Sequence, residues 1–319
     1  MYDIILVIKR KEGQLVMKKC IFCGRTEEEL GENNSWSVEH IIPLSLGNIS
    51  LTTTAVCADC NNKLGRNVDK YFVDNVLIEM KRKEFGLKGE SGKIPNPFKQ
   101  GNDQFGRMVR IDDSFNATLV PQLSVESVEE GLHFKGTANS KDEVKKMIKQ
   151  SLKRKGYKSE DIDHILLQID SAKTESYQPT ISFPFEIEPN RIALFFLKIA
   201  YEYTCLKLGE SYWDDPSSVE IRDMLYKAIC GEMKETCGNC RWVCLTPREI
   251  SDSFSIAQGK LKIHIVFLHP DKEGKLICEV FLFLERATSF SVIVSENAEK
   301  YKPLPNMDII EIHTTVYGL

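Results

Sequence analysis

Four cysteines within the first sixty residues constrain the fold of this chain more than any other feature of its sequence. They form two Cys-x-x-Cys pairs, Cys20 with Cys23 and Cys57 with Cys60, and 33 residues separate the pairs. Two thiolates three positions apart can point into one tetrahedron, so two such pairs complete a four-cysteine zinc site. A closed site of this kind has no open coordination position. The spacing therefore predicts a structural Zn²⁺ ion that stabilises a segment too small to bury a core of its own.

The net charge and the hydropathy of the sequence exclude some classes of protein. The 319 residues carry a formal net charge of −4, which excludes binding to nucleic acid by bulk positive charge but leaves room for a local basic patch. No apolar run reaches the roughly 18 residues that a membrane helix needs, so no membrane partner is expected. The apolar run 4–8 predicts a strand rather than a secretory signal. We therefore expect a cytoplasmic protein, whose paired cysteines bind metal rather than form disulfides.

The segment between the cysteine pairs predicts a strand, a loop and a second strand. Residues 37–42 are rich in apolar side chains and end at Pro43, which stops a strand. Residues 51–56 are rich in threonine and predict the returning strand. From Cys57 onward the spacing fits a short helix, so the local prediction is strand, loop, strand, helix.

Three motifs inside this segment carry a family resemblance. They are Glu-His-Ile-Ile-Pro at 39–43, Asn48, and Cys-x-x-Cys-Asn at 57–61. In order and spacing they resemble HNH endonucleases of the ββα-metal (His-Me finger) type, in the branch braced by two Cys-x-x-Cys pairs. The similarity covers about residues 18–72, and Glu39 stands where aspartate is more usual in the family.

The resemblance implies a role for each motif residue. His40 would take the proton from the attacking water, and Glu39 and Asn61 would hold a catalytic Mg²⁺ or Mn²⁺ ion. Asn48 would either orient the His40 ring or pin the loop, and Asn62 is the alternative to Asn61 as a ligand.

General chemistry agrees with these roles. Phosphodiester hydrolysis needs an activated water and a group that neutralises charge on the phosphate. Histidine titrates near neutral pH and is suited to the base role, and carboxylate and amide oxygens suit Mg²⁺. Because neighbouring strand residues point to opposite faces, the strand must end or bulge near Glu39 and His40 if both are to serve one site.

Basic side chains suggest where nucleic acid would bind. Residues 141–158 predict an amphipathic helix that carries eight basic and two acidic residues, although a solvated face explains the same pattern. The candidate phosphate contacts, two from the finger and four from this helix, are Lys63, Arg66, Lys145, Lys149, Lys153 and Arg154.

The whole chain is predicted to be α+β, with two domains. Residues 1–85 form the zinc-stapled HNH nuclease domain, and residues 86–319 form a larger mixed α+β domain for target recognition, partner binding or regulation. Helices at 192–208 and 219–233, together with strands at 261–268, 276–284 and 290–294, predict an antiparallel sheet in the larger domain. Chelation is expected to unfold the finger alone. A second zinc site is left open at Cys230, Cys237, Cys240 and Cys244.

Two functions remain compatible with the sequence. The first is a metal-dependent endonuclease acting on nucleic acid, most often double-stranded DNA in the resembling family, with RNA as the other substrate. By analogy with proteins of this build, the expected biological role is restriction or phage defence. The larger domain would bind a protein partner or an activating ligand. The second is a non-catalytic, zinc-dependent nucleic-acid-binding module.

Overall fold

The chain forms two compact units. The computed structural model describes residues 19–31, 35–89, 92–114, 116–129, 131–172, 175–183, 186–232, 241–254 and 261–314. One unit consists of Met1–Pro95 with Ile187–Leu319, and the other of Asn96–Glu186. The second unit is thus an insertion into the first, and the predicted boundary between residues 85 and 86 does not coincide with the division into compact units. The predicted strand at 4–8 lies outside the described residues.

The first unit begins with the predicted strand–strand–helix order. Helix α1 (Glu27–Leu30) precedes strands β1 (Trp36–His40) and β2 (Thr52–Cys57), and helix α2 (Ala58–Leu64) follows β2 without a loop. The two strands pair antiparallel, with a bulge between Ser37 and Glu39. This confirms the ββα unit. The bulge precedes Glu39, and Glu39 and His40 pair in regular register with Thr53 and Thr52, so it does not bring these two side chains to one face.

The sequence pattern predicts a single helix over residues 68–85, but the chain after α2 is divided into shorter elements. A π-helical turn (Gly65–Asp69) leads into α3 (Lys70–Val73), and α4 (Val76–Phe85) begins only after a break. The single-helix prediction is wrong because Asn75 is extended and its side chain accepts a hydrogen bond from the Leu77 N–H, which caps a new helix.

The inserted unit contains a three-stranded antiparallel sheet, a hairpin and two helices. Their bounds are β3 (Gln100–Asn102), β4 (Met108–Ile111), β5 (Ala117–Leu119), β6 (Gln122–Val128), β7 (Gly131–Thr137), α5 (Lys141–Arg154) and α6 (Ser159–Gln168). The sequence pattern predicts one strand over residues 117–125, but the structure divides it at Pro121, which cannot donate a ladder hydrogen bond. The buried core here is small, with Ile148 and Leu152 of α5 against Ile162 of α6.

The C-terminal part of the first unit contains the predicted antiparallel sheet. Three helices come first, α7 (Pro189–Leu208), α8 (Glu210–Trp213) and α9 (Pro216–Ile229). The remaining elements are β8 (Val243–Leu245), α10 (Arg248–Asp252), β9 (Ile263–Pro270), β10 (Leu276–Phe281), β11 (Ser289–Ser295) and β12 (Asp308–Glu311). The five strands are all antiparallel, in the order β12-β9-β10-β11-β8.

Helix α7 joins the finger to this sheet in one hydrophobic core. Phe195 stacks on Phe72 of α3 with ring centroids 4.0 Å apart, and Phe196 lies 4.1 Å from Phe290 of β11. A helix that is apolar nearly all round must be covered on several sides, and here the finger supplies one of them. In the described ranges, neither α7 nor any other helix is long and apolar enough to cross a membrane.

Candidate zinc site and active site

The four predicted cysteine ligands come together in the structure. Their Sγ atoms all lie within 4.8 Å of one another, and the Sγ atoms of Cys23 and Cys57 are 3.9 Å apart. Tetrahedral Zn–S bonds of about 2.3 Å place sulfur atoms about 3.8 Å apart, so this donor set fits zinc. Within the part of the chain that the structure describes, it is the single group of three or more His, Cys, Asp or Glu residues with this geometry.

Local hydrogen bonds support thiolate character at this site. The Cys57 N–H points at the Cys20 sulfur at 3.5 Å, and Arg25 Nε donates to the Cys23 sulfur at 3.3 Å. Donors of this kind orient and stabilise metal-ligating thiolates. The arrangement is that of a structural zinc site between the Cys20 turn and the β2–α2 junction.

The second zinc site, left open at Cys230, Cys237, Cys240 and Cys244, stays a prediction. Cys230 and Cys244 are exposed free thiols, whereas Cys237 and Cys240 lie outside the described residues.

His40 is the last residue of β1, opposite Thr52 of β2. Its side chain is half-buried. Burial lowers the pKa of His40, and the nearby ammonium of Lys198 lowers that pKa further. The ring is therefore a neutral imidazole at pH 7, the protonation state that accepts a proton.

Glu39 points away from solvent, toward helix α7. It is only 4% exposed, and its Oε1 lies 2.6 Å from the Nζ of Lys198. The same ammonium donates to the carbonyl oxygens of His40 and Ile41, each at 3.3 Å. A residue 159 positions away along the chain therefore contacts the segment that contains the catalytic candidates.

Two further carboxylates complete the surroundings of Lys198. Asp69 Oδ2 is 3.5 Å and Glu202 Oε2 is 3.2 Å from Nζ. Burial opposes the charge of Lys198, but Asp69, Glu202 and Glu39 together raise its pKa. Burial raises the pKa of Asp69 to about 6 and the pKa of Glu202 well above its ordinary value. The cluster is accordingly a charged lysine surrounded by three carboxyl groups, of which Glu39 is the nearest.

Sequence reasoning missed Lys198, although a signal was present. The lysine interrupts the run Phe-Phe-Leu-Lys-Ile-Ala at 195–200, in a helix predicted to be buried. A buried lysine needs a carboxylate or several carbonyl partners, because an isolated buried charge is strongly unfavourable. The lone lysine thus indicated a buried acidic partner, but not which one.

Asn48 closes the loop after β1. Its Nδ2 donates to the carbonyl oxygens of Ile42 at 2.7 Å and Leu51 at 2.9 Å. Its Oδ1 accepts from the N–H groups of Ser50 at 3.1 Å and Leu51 at 2.8 Å. These four bonds use both amide hydrogens and both oxygen lone pairs, so the geometry is that of loop closure rather than contact with His40.

The C-terminal sheet holds the same loop from outside. His264 Nε2 lies 3.0 Å from the Leu46 carbonyl oxygen, and the Phe283 N–H donates to His264 Nδ1 at 3.1 Å. Gly47 has φ +91°, and a Cβ there would come within 2.6 Å of Ile312. Glycine is therefore required at this close approach.

Asn61 lies against β1. Its Nδ2 donates to Ser37 Oγ at 3.1 Å and to the Val38 carbonyl oxygen at 3.2 Å, and these two bonds leave its own oxygen unused. The structure thus places Asn61 beside the strand that carries Glu39 and His40, while Glu39 itself faces Lys198. Asn62 is exposed.

The basic candidates are spread over both units. Lys63 is 2.9 Å from Asp59, and Arg66 is exposed with its Nε donating to the Asn62 carbonyl oxygen. The other four lie on α5 of the inserted unit. There, Lys149, Lys153 and Arg154 are exposed and Lys145 is half-buried.

A four-cysteine cluster next to a strand–strand–helix unit defines a zinc-braced ββα finger. Residues 20–77 of the chain match the model of a known protein family, the HNH endonucleases. This range includes both cysteine pairs and the candidates Glu39, His40 and Asn61, so the family resemblance read from the sequence is confirmed. Comparison with curated proteins and with solved structures gave no match.

Proposed function

We propose that this protein is a metal-dependent endonuclease that hydrolyses phosphodiester bonds, with His40 as the general base. The observation that carries the proposal is the position of His40, neutral and half-buried, at the end of β1 in the segment that matches HNH endonucleases. An imidazole in that state can take the proton of a water that attacks phosphorus.

A divalent Mg²⁺ or Mn²⁺ ion completes the proposal. When bound, it would neutralise the charge that develops on the phosphate and on the departing oxygen. The donors that this chain offers are the Glu39 carboxylate oxygen not engaged by Lys198 and the side-chain oxygen of Asn61. Both are hard oxygen donors, as Mg²⁺ prefers.

The proposed substrate is double-stranded DNA, and the proposed setting is restriction or phage defence. Exposed Arg66 and the basic face of α5 support a polyanionic substrate. Target choice, or control by a protein partner or activating ligand, would then belong to the rest of the chain.

Nicking of supercoiled plasmid tests the proposal. The zinc-loaded wild type should nick DNA with Mg²⁺ or Mn²⁺, and His40→Ala should lose roughly 10²–10⁴ in rate while zinc content and DNA affinity are retained. His164→Ala is the matched control, because His164 is exposed on α6 and should leave the rate unchanged.

Two outcomes would contradict the proposal. A zinc-loaded wild type that binds DNA but cuts neither DNA nor RNA with any divalent ion would favour the binding module. Full activity of His40→Ala would remove His40 from the mechanism.

A further inference from the structure

The contacts of Lys198 converge on the end of β1. Its Nζ is fully buried and reaches three acceptors of consecutive residues, the Glu39 carboxylate and the carbonyl oxygens of His40 and Ile41. Asp69 and Glu202 also lie within 3.5 Å of Nζ, so three of its five neighbouring acceptors belong to the end of β1. One side chain of α7 thus fixes both the carboxylate of Glu39 and the backbone that carries the His40 ring.

Stability alone gives a weak reason for this arrangement. Removing a lysine and its carboxylates from water is unfavourable, and well-packed apolar residues of similar volume often do as well or better. The flanking residues Leu197 and Ile199 are apolar and buried, so apolar residues in place of Lys198 and its carboxylates together would suit packing here. The ion pair therefore points to a geometric role.

Helix α7 is a rigid support for such a role. Phe195 stacks on Phe72, and the Tyr201 hydroxyl donates to the Ile21 carbonyl oxygen at 2.6 Å, beside the cysteine cluster. Lys198 lies between these two anchors on the same helix. Functional groups held by packed helices keep their geometry more closely than groups held by loops.

We propose that Lys198 is a positioning residue for the reaction, holding Glu39 and His40 in the geometry that cleavage requires. The inference rests on the proposed nuclease function and deepens it. A carboxylate that ligates a metal is commonly held by a second hydrogen bond, and Lys198 supplies that bond from a part of the chain outside the family match.

Three variants of the full-length, zinc-loaded protein test the inference. Lys198→Met removes the ammonium and keeps the apolar stem, and Lys198→Arg keeps the charge with a different donor geometry. Lys207→Met, which removes an ammonium paired with Asp308 in the last turn of α7, is the matched control. Each is compared with wild type in four measurements: single-turnover plasmid nicking, DNA affinity, zinc content, and the NMR resonance of the His40 ring, assigned with His40→Ala.

Lys198→Met should nick about 10²-fold more slowly, because small misplacements of reacting groups reduce rates by this order. DNA affinity and zinc content should stay at wild-type values, and the His40 resonance should shift while that of His164 stays in place. Lys198→Arg should lie between Lys198→Met and wild type in rate, and Lys207→Met should match wild type.

A folded, zinc-loaded Lys198→Met that nicks at the wild-type rate would overturn the inference. If that variant fails to fold, Lys198→Met/Glu202→Leu replaces it, and if both fail, an unchanged rate and unchanged His40 resonance in Lys198→Arg would overturn the inference. An inactive wild type would instead count against the nuclease function, and the His40 resonance would still show whether Lys198 positions the ring.

Discussion

Helix α7 of the first unit and helix α5 of the inserted unit use charged side chains in opposite ways. In the first unit, charged groups are buried with specific partners, as Lys198 is with Glu39, and as Asp215 is with the hydroxyls of Tyr301 and Ser295. In the inserted unit, the basic residues of α5 lie mostly on the surface over a small apolar core. A buried charge constrains geometry, whereas exposed charges mainly contribute electrostatic potential. Substitutions at buried charges such as Lys198 should therefore change fold or chemistry, and substitutions on the basic surface of α5 should change only binding.

Removal of zinc gives the largest expected difference between the units. Structural zinc contributes about 10 kcal/mol or more of folding free energy. Because the finger shares its core with α7, we expect chelation to destabilise the whole first unit rather than the finger alone, contrary to the sequence-based expectation. Hydrogen exchange should show loss of protection in Pro189–Leu208 and retention in Lys141–Arg154.

Single cysteine variants provide the control for this experiment. Cys57→Ser should reproduce the effect of chelation, and Cys244→Ser, an exposed free thiol, should not. Protection of α7 that survives the loss of zinc would show that the finger and the sheet fold independently.

Acid should destabilise the first unit through His264. Burial lowers the pKa of this histidine to about 4 from its ordinary value of 6.5. Between these values the unfolded chain binds a proton that the folded chain does not, so stability is fully present above pH 6.5 and is lost as the pH falls toward 4. The loss should reach about 3 kcal/mol.

Urea unfolding at pH 7.5 and 4.5 measures this loss. His264→Gln removes the titrating group, so its stability should fall less over the same range, and zinc loss at low pH affects both proteins alike. Equal pH dependence in wild type and variant would show that His264 does not titrate in this window.

Charge reversal on α5 should give the smallest effect. If Lys149, Lys153 and Arg154 contact phosphates, each change to Glu should reduce the slope of log affinity against log salt by about 0.9 for duplex DNA. The nicking rate at saturating DNA should stay unchanged, because these residues belong to the inserted unit. Lys227→Glu, on exposed α9 surface, is the control. An unchanged slope would show that the basic face of α5 is solvated and does not contact DNA.

Much of the finger was predictable because its signals are local. Cys57 ends β2 and Cys60 lies one helical turn along α2, so chain geometry alone brings both thiolates to one side. The position of the bulge before Glu39 was not predictable from the strand period, because Glu39 and His40 still alternate between faces in regular register. The break at Asn75 was missed because an apolar helical pattern does not reveal a cap inside it.

Residue spacing was sufficient for the four-cysteine cluster, the ββα order, the similarity of residues 20–77 to HNH endonucleases and the antiparallel C-terminal sheet. Each of these depends on neighbours a few positions apart or on strand periodicity. The partner of Glu39, the division into units and the support of the Asn48 loop by His264 depended on the tertiary structure. These contacts join positions more than 150 residues apart, and many buried side chains compete for them. The sequence shows that Lys198 needs an acidic partner, but only packing of α7 against β1 selects Glu39.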